Sequence, residues 1–119
     1  MPKSKLTGGA GESAAARHLL AEGYDIEAAN YRSRYGEIDI IAKNKEFVAF
    51  VEVKTRKSGA FARPMEHVTK TKLEKLRKTA LLWLASNECK LQPRFDVIEV
   101  YMPDGPGKPA RVEHLENVL

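Results

Sequence analysis

Two short apolar runs separated by a polar break constrain this 119-residue chain more than any other feature. The first is Gly36-Glu37-Ile38-Asp39-Ile40-Ile41-Ala42. The break is Lys43-Asn44-Lys45-Glu46, and the second run is Phe47-Val48-Ala49-Phe50-Val51-Glu52-Val53-Lys54. β-Branched and aromatic residues on both sides of a polar turn predict an antiparallel hairpin. A turn around Asn44-Lys45 sets Ala42 opposite Phe47, Ile41 opposite Val48, Asp39 opposite Phe50 and Glu37 opposite Glu52. Side chains alternate along a strand, so Glu37, Asp39 and Ile41 share one face with Val48, Phe50, Glu52 and Lys54. That face is apolar near the turn and crowded with carboxylates and one lysine at the other end. A merely solvated face would be polar throughout, so the pattern predicts a site. It also sets a requirement on register, because a one-residue slip would send Asp39 and Glu52 to opposite faces.

The length suits a single domain over 1–119 with a core of its own. No apolar run approaches the length of a membrane span, and Met1-Pro2-Lys3-Ser4-Lys5 leads into small residues unlike a signal-peptide core. The one cysteine, Cys89, has no internal disulfide partner and reads as an inert, partly buried thiol. A cytoplasmic protein without membrane attachment is the expectation.

The formal charge is only +4, yet nine Lys/Arg against two acids fall between Lys54 and Lys78, and the remainder is slightly negative. A positive block on a near-neutral chain is the footprint of a phosphate-backbone binder. The alternative for the block is a solvated helix whose lysines serve solubility.

Residues 1–8 read as a flexible start. A helix is expected over 12–22, with Ala14, Ala15, Ala16, Leu19 and Leu20 as its apolar stripe and Gly23 as its C-cap. Residues 24–32 form a weaker edge strand, followed by a turn carrying Arg32 and Arg34. After the hairpin, 56–64 is a basic loop around Ser58-Gly59. A second helix is expected over 66–86, with Val68, Leu73, Leu76, Ala80, Trp83 and Leu84 on one stripe and Thr71, Lys75 and Lys78 facing away. Leu82 lies opposite that stripe, as a contact with a second subunit would require. Strands are expected over 94–101 and 111–115, separated by the turn 103–109. The order is helix, three strands, helix, one or two strands: an α/β architecture with a central mixed sheet flanked by helices.

Two carboxylates at a strand end with a lysine nearby suit metal-assisted cleavage of a phosphodiester. Oxygen donors favour a hard cation, Mg²⁺ or Mn²⁺, that keeps several waters and bridges to phosphate. Asp39 and Glu52 are the candidate ligands. Lys54, two residues from Glu52, is placed to position water or to offset charge in the transition state. One of the acids is alternatively paired with Lys54 or Arg34, as in a surface ion-pairing pattern. Arg34, Arg56, Lys57, Arg63, Lys70 and Lys72 are the candidate nucleic-acid contacts, holding phosphate without reading sequence. His18, His67 and His114 share no metal-ligand spacing and read as surface or helix residues.

Asp39 followed by Glu52-Val53-Lys54 resembles the PD-(D/E)xK nuclease superfamily, with Ile38 standing where the superfamily's name has proline. A closer resemblance, over nearly the whole chain, is to the YraN-like (UPF0102) family of predicted endonucleases, similar to archaeal Holliday junction resolvases. It is carried by Gly11-Glu12 and the following alanines, Asn30-Tyr31-Arg32, Gly36-Glu37-Ile38-Asp39, Phe50 to Arg56, and Arg94-Phe95-Asp96-Val97. The resemblance implies a restriction-endonuclease-like fold and a site of Glu12, Asp39, Glu52 and Lys54, with Glu12 joining Asp39 and Glu52 at the metal. The alternative for Glu12 is an acid placed favourably at a helix start. The implied substrate is branched or structured DNA, and the implied assembly is a homodimer, since a four-way junction requires paired incisions. The alternative is a non-catalytic nucleic-acid-binding module, or an RNA or protein assembly factor, with a vestigial site.

Overall fold

The hairpin closes more tightly than its sequence suggests. In the computed structural model, which describes residues 9–56, 69–105 and 111–118, the Asn44 side chain accepts the N–H groups of Glu46 (2.9 Å) and Phe47 (2.8 Å). The Asn44 N–H donates to the Phe47 carbonyl at 3.0 Å. The turn is therefore the two residues Lys45-Glu46, shaped by asparagine's capacity to bond its own downstream backbone. Strand β2 (Gly36–Lys43) consequently meets β3 (Phe47–Arg56) as Lys43–Val48, Ala42–Ala49, Ile41–Phe50 and Ile40–Val51. This differs by two residues from the expected pairing. An even offset changes the neighbours but preserves the faces.

Around this hairpin the sheet runs in the order β1-β2-β3-β4-β5. β1 (Asp25–Ser33) is the expected edge strand, antiparallel to β2 and bulged between Ile26 and Ala28. β4 (Gln92–Tyr101) is parallel to β3, and β5 (Arg111–Leu115) closes the far edge antiparallel to β4. A parallel pair needs a crossover, and α2 (Lys70–Ser86) lies within it. The result is the expected α/β architecture, a five-stranded mixed sheet flanked by two helices and compatible with a restriction-endonuclease-like fold.

The helices cover opposite faces. α1 (Ala10–Ala21) lays Ala14, Ala15, Ala16 and Leu19 on Ile40, Ala42, Ala49, Val51, Ile98 and Val100. Alanines on both sides permit a close approach, and Gly11 takes this furthest: a Cβ there would lie 2.2 Å from Thr55 Oγ1. With glycine there, the first turn of α1 rests on the end of β3 without displacing the Thr55 hydroxyl. The helix stops as expected at Gly23, whose φ of +92° suits glycine. There Tyr24 N–H bonds the Leu19 carbonyl at 2.9 Å and Gly23 N–H that of Leu20 at 3.1 Å, a Schellman closure.

α2 buries Leu76, Thr79, Ala80 and Trp83, packing against Ile38, Ile41, Val48 and Phe50 on the other face. Phe50 and Trp83 meet edge to face, with centroids 6.0 Å apart. Thr71, Lys75 and Lys78 are exposed, as expected. The helix begins later than the expected residue 66, because extended Thr69 caps it by accepting the Lys72 N–H at 3.1 Å. Buried Thr79 was not anticipated: its hydroxyl lies 2.9 Å from both Ser33 Oγ and the Lys75 carbonyl, docking α2 on the β1–β2 turn. The expected flexible start 1–8, the loop from 57 to 64 and most of the 103–109 turn fall outside the described residues. Among the described residues no helix is long and apolar enough to cross a membrane.

Candidate functional site

The alternation of β2 slips where the site begins. Ile38 and Ile41 are an odd number of steps apart, yet both belong to the cluster beneath α2. The slip coincides with the end of the β2–β3 ladder at Ile40–Val51. Just beyond, Asp39 Oδ2 accepts the N–H of Val53 at 2.8 Å, so a carboxylate replaces a backbone carbonyl as that strand's partner. The sequence predicts two acids near one strand end; the opened ladder turns one of them into part of the sheet's hydrogen bonding.

Burial is the main reason that the Asp39 carboxyl is pushed up to about 6. The negative charges of Glu52, Glu12 and Glu37 push in the same direction, and the Val53 N–H opposes them. Glu12, buried in the first turn of α1, is thereby an electrostatic neighbour of Asp39, brought there by the Gly11–Thr55 approach. Glu37 is exposed and lies 3.6 Å from Arg32 across the β1–β2 pair. The expected direct opposition of Glu37 and Glu52 does not occur, because the register differs by two.

Glu52 is half-buried, and two ammonium groups converge on one of its oxygens. Lys54 Nζ lies 3.1 Å from Oε2 and Lys72 Nζ 3.3 Å from the same atom. Lys54 was expected there. Lys72, expected only as a phosphate contact, reaches the site because Thr69 starts α2 one turn before it. Among the described residues no three Asp, Glu, His or Cys side chains form a group able to hold an ion. Asp39 and Glu52 are coupled by charge as two carboxylates. A pair suits Mg²⁺, which is commonly held by one or two carboxylates and keeps several waters.

The candidate nucleic-acid contacts divide. Arg34 is exposed and bonds the Tyr35 hydroxyl at 3.0 Å, and Lys70 is exposed at the start of α2. Arg56 turns inward to the buried Glu99, 3.3 Å away, and its guanidinium is committed to the interior. Lys57 and Arg63 lie outside the described residues.

A second charged cluster escaped sequence reasoning altogether. Buried Arg94 donates to both oxygens of fully buried Asp96 and also to the Tyr24 hydroxyl. His114 Nε2 lies 2.8 Å from Asp96 Oδ2, and the Asn117 N–H donates to Oδ1 at 2.9 Å. Burial would raise the Asp96 carboxyl, but hydrogen bonds from His114, Arg94 and Asn117 outweigh it and hold the group below the usual carboxylate range. His18 and His114, read from sequence as unrelated surface or helix residues, meet here, 3.3 Å apart. The one available signal was the Arg94-x-Asp96 spacing, which places both side chains on one face of β4. Their partners are Tyr24, just after α1, His114 on β5 and Asn117 just beyond it, and no local pattern joins those segments.

Comparison with known proteins follows the same span of chain. The family described as "Uncharacterised protein family UPF0102" matches residues 11–100. A UPF0102 protein of Nocardia farcinica is 47% identical over 113 residues, covering 94% of this chain and 87% of its own. One of Trichlorobacter lovleyi is 44% identical over 120 residues, covering 98% and 91%. One of Rhodococcus opacus is 40% identical over 120 residues, covering both chains completely.

Proposed function

The chain belongs to the uncharacterised protein family UPF0102, and from its acidic site we propose that it is a metal-dependent endonuclease acting on branched or structured DNA. The observation that carries this reading is the placing of Asp39, whose carboxylate accepts the Val53 N–H next to Glu52 at 2.8 Å and is pushed up to about 6 by burial and by the charges of Glu52, Glu12 and Glu37. Acids that raise Asp39 in this way are what a divalent cation would relieve. Asp39 and Glu52 would hold Mg²⁺ or Mn²⁺ through oxygen, with Glu12 adding charge from α1. When bound, the ion would acidify water and offset charge on the phosphate.

The protein's own part is positioning. The Val53 N–H fixes the Asp39 carboxylate, and Lys54 and Lys72 fix Glu52 while offering ammonium groups to the developing negative charge. Arg34, Lys57, Arg63, Lys70 and Lys72 would contact phosphates, whereas Arg56 serves the fold through Glu99. The exposed leucines Leu81 and Leu82 on α2 suit a homodimer, and the single cysteine suits the cytoplasm.

The test is nicking of a four-way junction and of single-stranded DNA with Mn²⁺ by wild type, Asp39→Ala and Glu52→Ala. We expect cleavage by wild type and a loss of about 10²-fold or more in each variant. If all three are equally inert yet bind DNA alike, the enzyme reading fails. The clamp of two lysines on one Glu52 oxygen favours a second reading, a non-catalytic nucleic-acid-binding module or an RNA or protein assembly factor. Copurification of one RNA or protein in place of DNA affinity would support it.

A further inference from the structure

The two histidines of the second cluster face each other in a way that their internal packing does not require. His18 stands in the last turn of α1 and His114 on β5, 96 residues apart in sequence. His18 Nε2 lies 3.3 Å from His114 Nδ1, with the rings at 79° to one another and their centroids 5.3 Å apart. The other nitrogen of His114 is engaged by Asp96, an ionised acceptor already bonded to Arg94 and Asn117. The proton of neutral His114 is therefore held on Nε2, and the lone pair of Nδ1 is directed at His18.

That arrangement has the parts of a nitrogen-ligand metal site. Metal–nitrogen bonds of about 2.0–2.1 Å at a tetrahedral angle place two ligand nitrogens about 3.3 Å apart. A carboxylate on the far nitrogen is the usual means of orienting a metal-binding imidazole and raising its basicity. His18 is half-buried and keeps the pair within reach of solvent.

We propose that His18 and His114 form a site for a borderline divalent transition ion such as Zn²⁺, with Asp96 orienting His114 and water completing the coordination shell. Imidazole nitrogen selects Zn²⁺, Ni²⁺ or Cu²⁺ over Mg²⁺, so the site is chemically distinct from the oxygen pair Asp39/Glu52. Its ligands also come from other elements, α1 and β5. Asp96 is in register with Val51, which packs against α1, whereas Glu52 is held by Lys72 of α2. An ion there would tie α1, the helix that carries Glu12, to the last strand. Two protein ligands give weaker binding than a closed structural site, and in the absence of an ion His18 Nε2–H bridges the same gap as a hydrogen bond donor.

The experiment is calorimetric titration of the untagged, chelator-stripped full chain with Zn²⁺ in a large excess of Mg²⁺, with circular dichroism to verify folding. One Zn²⁺ per chain is expected, at least about tenfold weaker in His18→Gln and unchanged in Asp39→Asn and in His67→Gln. A second readout needs no variant: Zn²⁺ should shift the ring-proton NMR signals of His18 and His114 together and leave those of His67 in place. The proposal is overturned if wild type takes up no Zn²⁺, if folded His18→Gln binds as tightly as wild type, or if the responding signals belong to His67. None of these outcomes bears on Asp39 and Glu52, so this proposal and the nuclease reading stand or fall separately.

Discussion

Asp39 on β2 is half-buried and Asp96 on β4 is fully buried, and the two carboxyls are treated in opposite ways. Asp96 is surrounded by donors: the Arg94 guanidinium, His114 and the Asn117 N–H, which hold its carboxyl low. Among the described residues Asp39 accepts one backbone N–H and is raised by three acidic neighbours, and its carboxyl rises to about 6. Burial alone raises any carboxylate, so what differs is the supply of hydrogen bonds and the sign of nearby charge. An acid with its partners supplied serves the fold. An acid beside other acids, with its carboxyl raised, is what the proposed metal site rests on.

The largest expected effect is at the satisfied acid. Asp96→Ala leaves Arg94 as a buried cation short of its partner and should cost about 3–5 kcal/mol in urea unfolding. A cost under about 1 kcal/mol would break the contrast. Asp39→Asn should act the other way, stabilising the metal-free protein by about 2 kcal/mol at pH 8, because it removes a carboxylate that the fold disfavours. If Asp39→Asn is destabilising in chelator, the strained-acid account is wrong.

The pH dependence sharpens the same comparison. A carboxyl raised in the folded state favours folding below its ordinary value of 3.8, and that contribution is lost as pH rises through about 6. The Asp39→Asn gain should therefore vanish when unfolding is measured below pH 4. Asp96, held low, contributes stability above the ordinary value that is lost as pH falls through its folded value. Urea titrations of wild type should show acid destabilisation that Asp39→Asn leaves untouched. The smallest effect is expected at Lys72, whose side chain is 42% exposed. Lys72→Gln should change stability by under about 0.5 kcal/mol, while lowering the salt dependence of DNA binding by about one phosphate contact.

How legible this molecule was varies by feature. The elements themselves were readable because their signals are local: the Ala-rich stripe and Gly23 of α1, the apolar residues of β4 ahead of the 103–109 turn, and the Leu76–Ala80–Trp83 spacing of α2. The faces of the hairpin were readable for the same reason from Ile40 to Val51, but the slip of alternation before Ile40 and the register were not. Asn44 closes a two-residue turn instead of opening a longer one, and that choice rests on side-chain hydrogen bonds of a few tenths of an ångström's tolerance. Lys72 at Glu52 and Arg56 at Glu99 were missed as well, since a lysine or arginine in a basic run carries no mark of which acid it will meet.

The amino-acid sequence by itself determined the periodicities, the turn residues, the placing of Asp39, Glu52 and Lys54 near one strand end, and the basic block that follows. Each depends on residues within a few positions of one another, where 3.6- and 2-residue repeats govern which side chains share a face. Only the tertiary structure decided that Glu12 comes to Asp39 through the Gly11–Thr55 approach. It alone decided that, among the described residues, Asp39 accepts one backbone N–H beside other acids while Asp96 has three donor groups, and that His18 meets His114 across 96 residues. Those outcomes depend on burial and on partners from distant elements, and a carboxylate's chemistry is set by what surrounds it rather than by its neighbours in the chain.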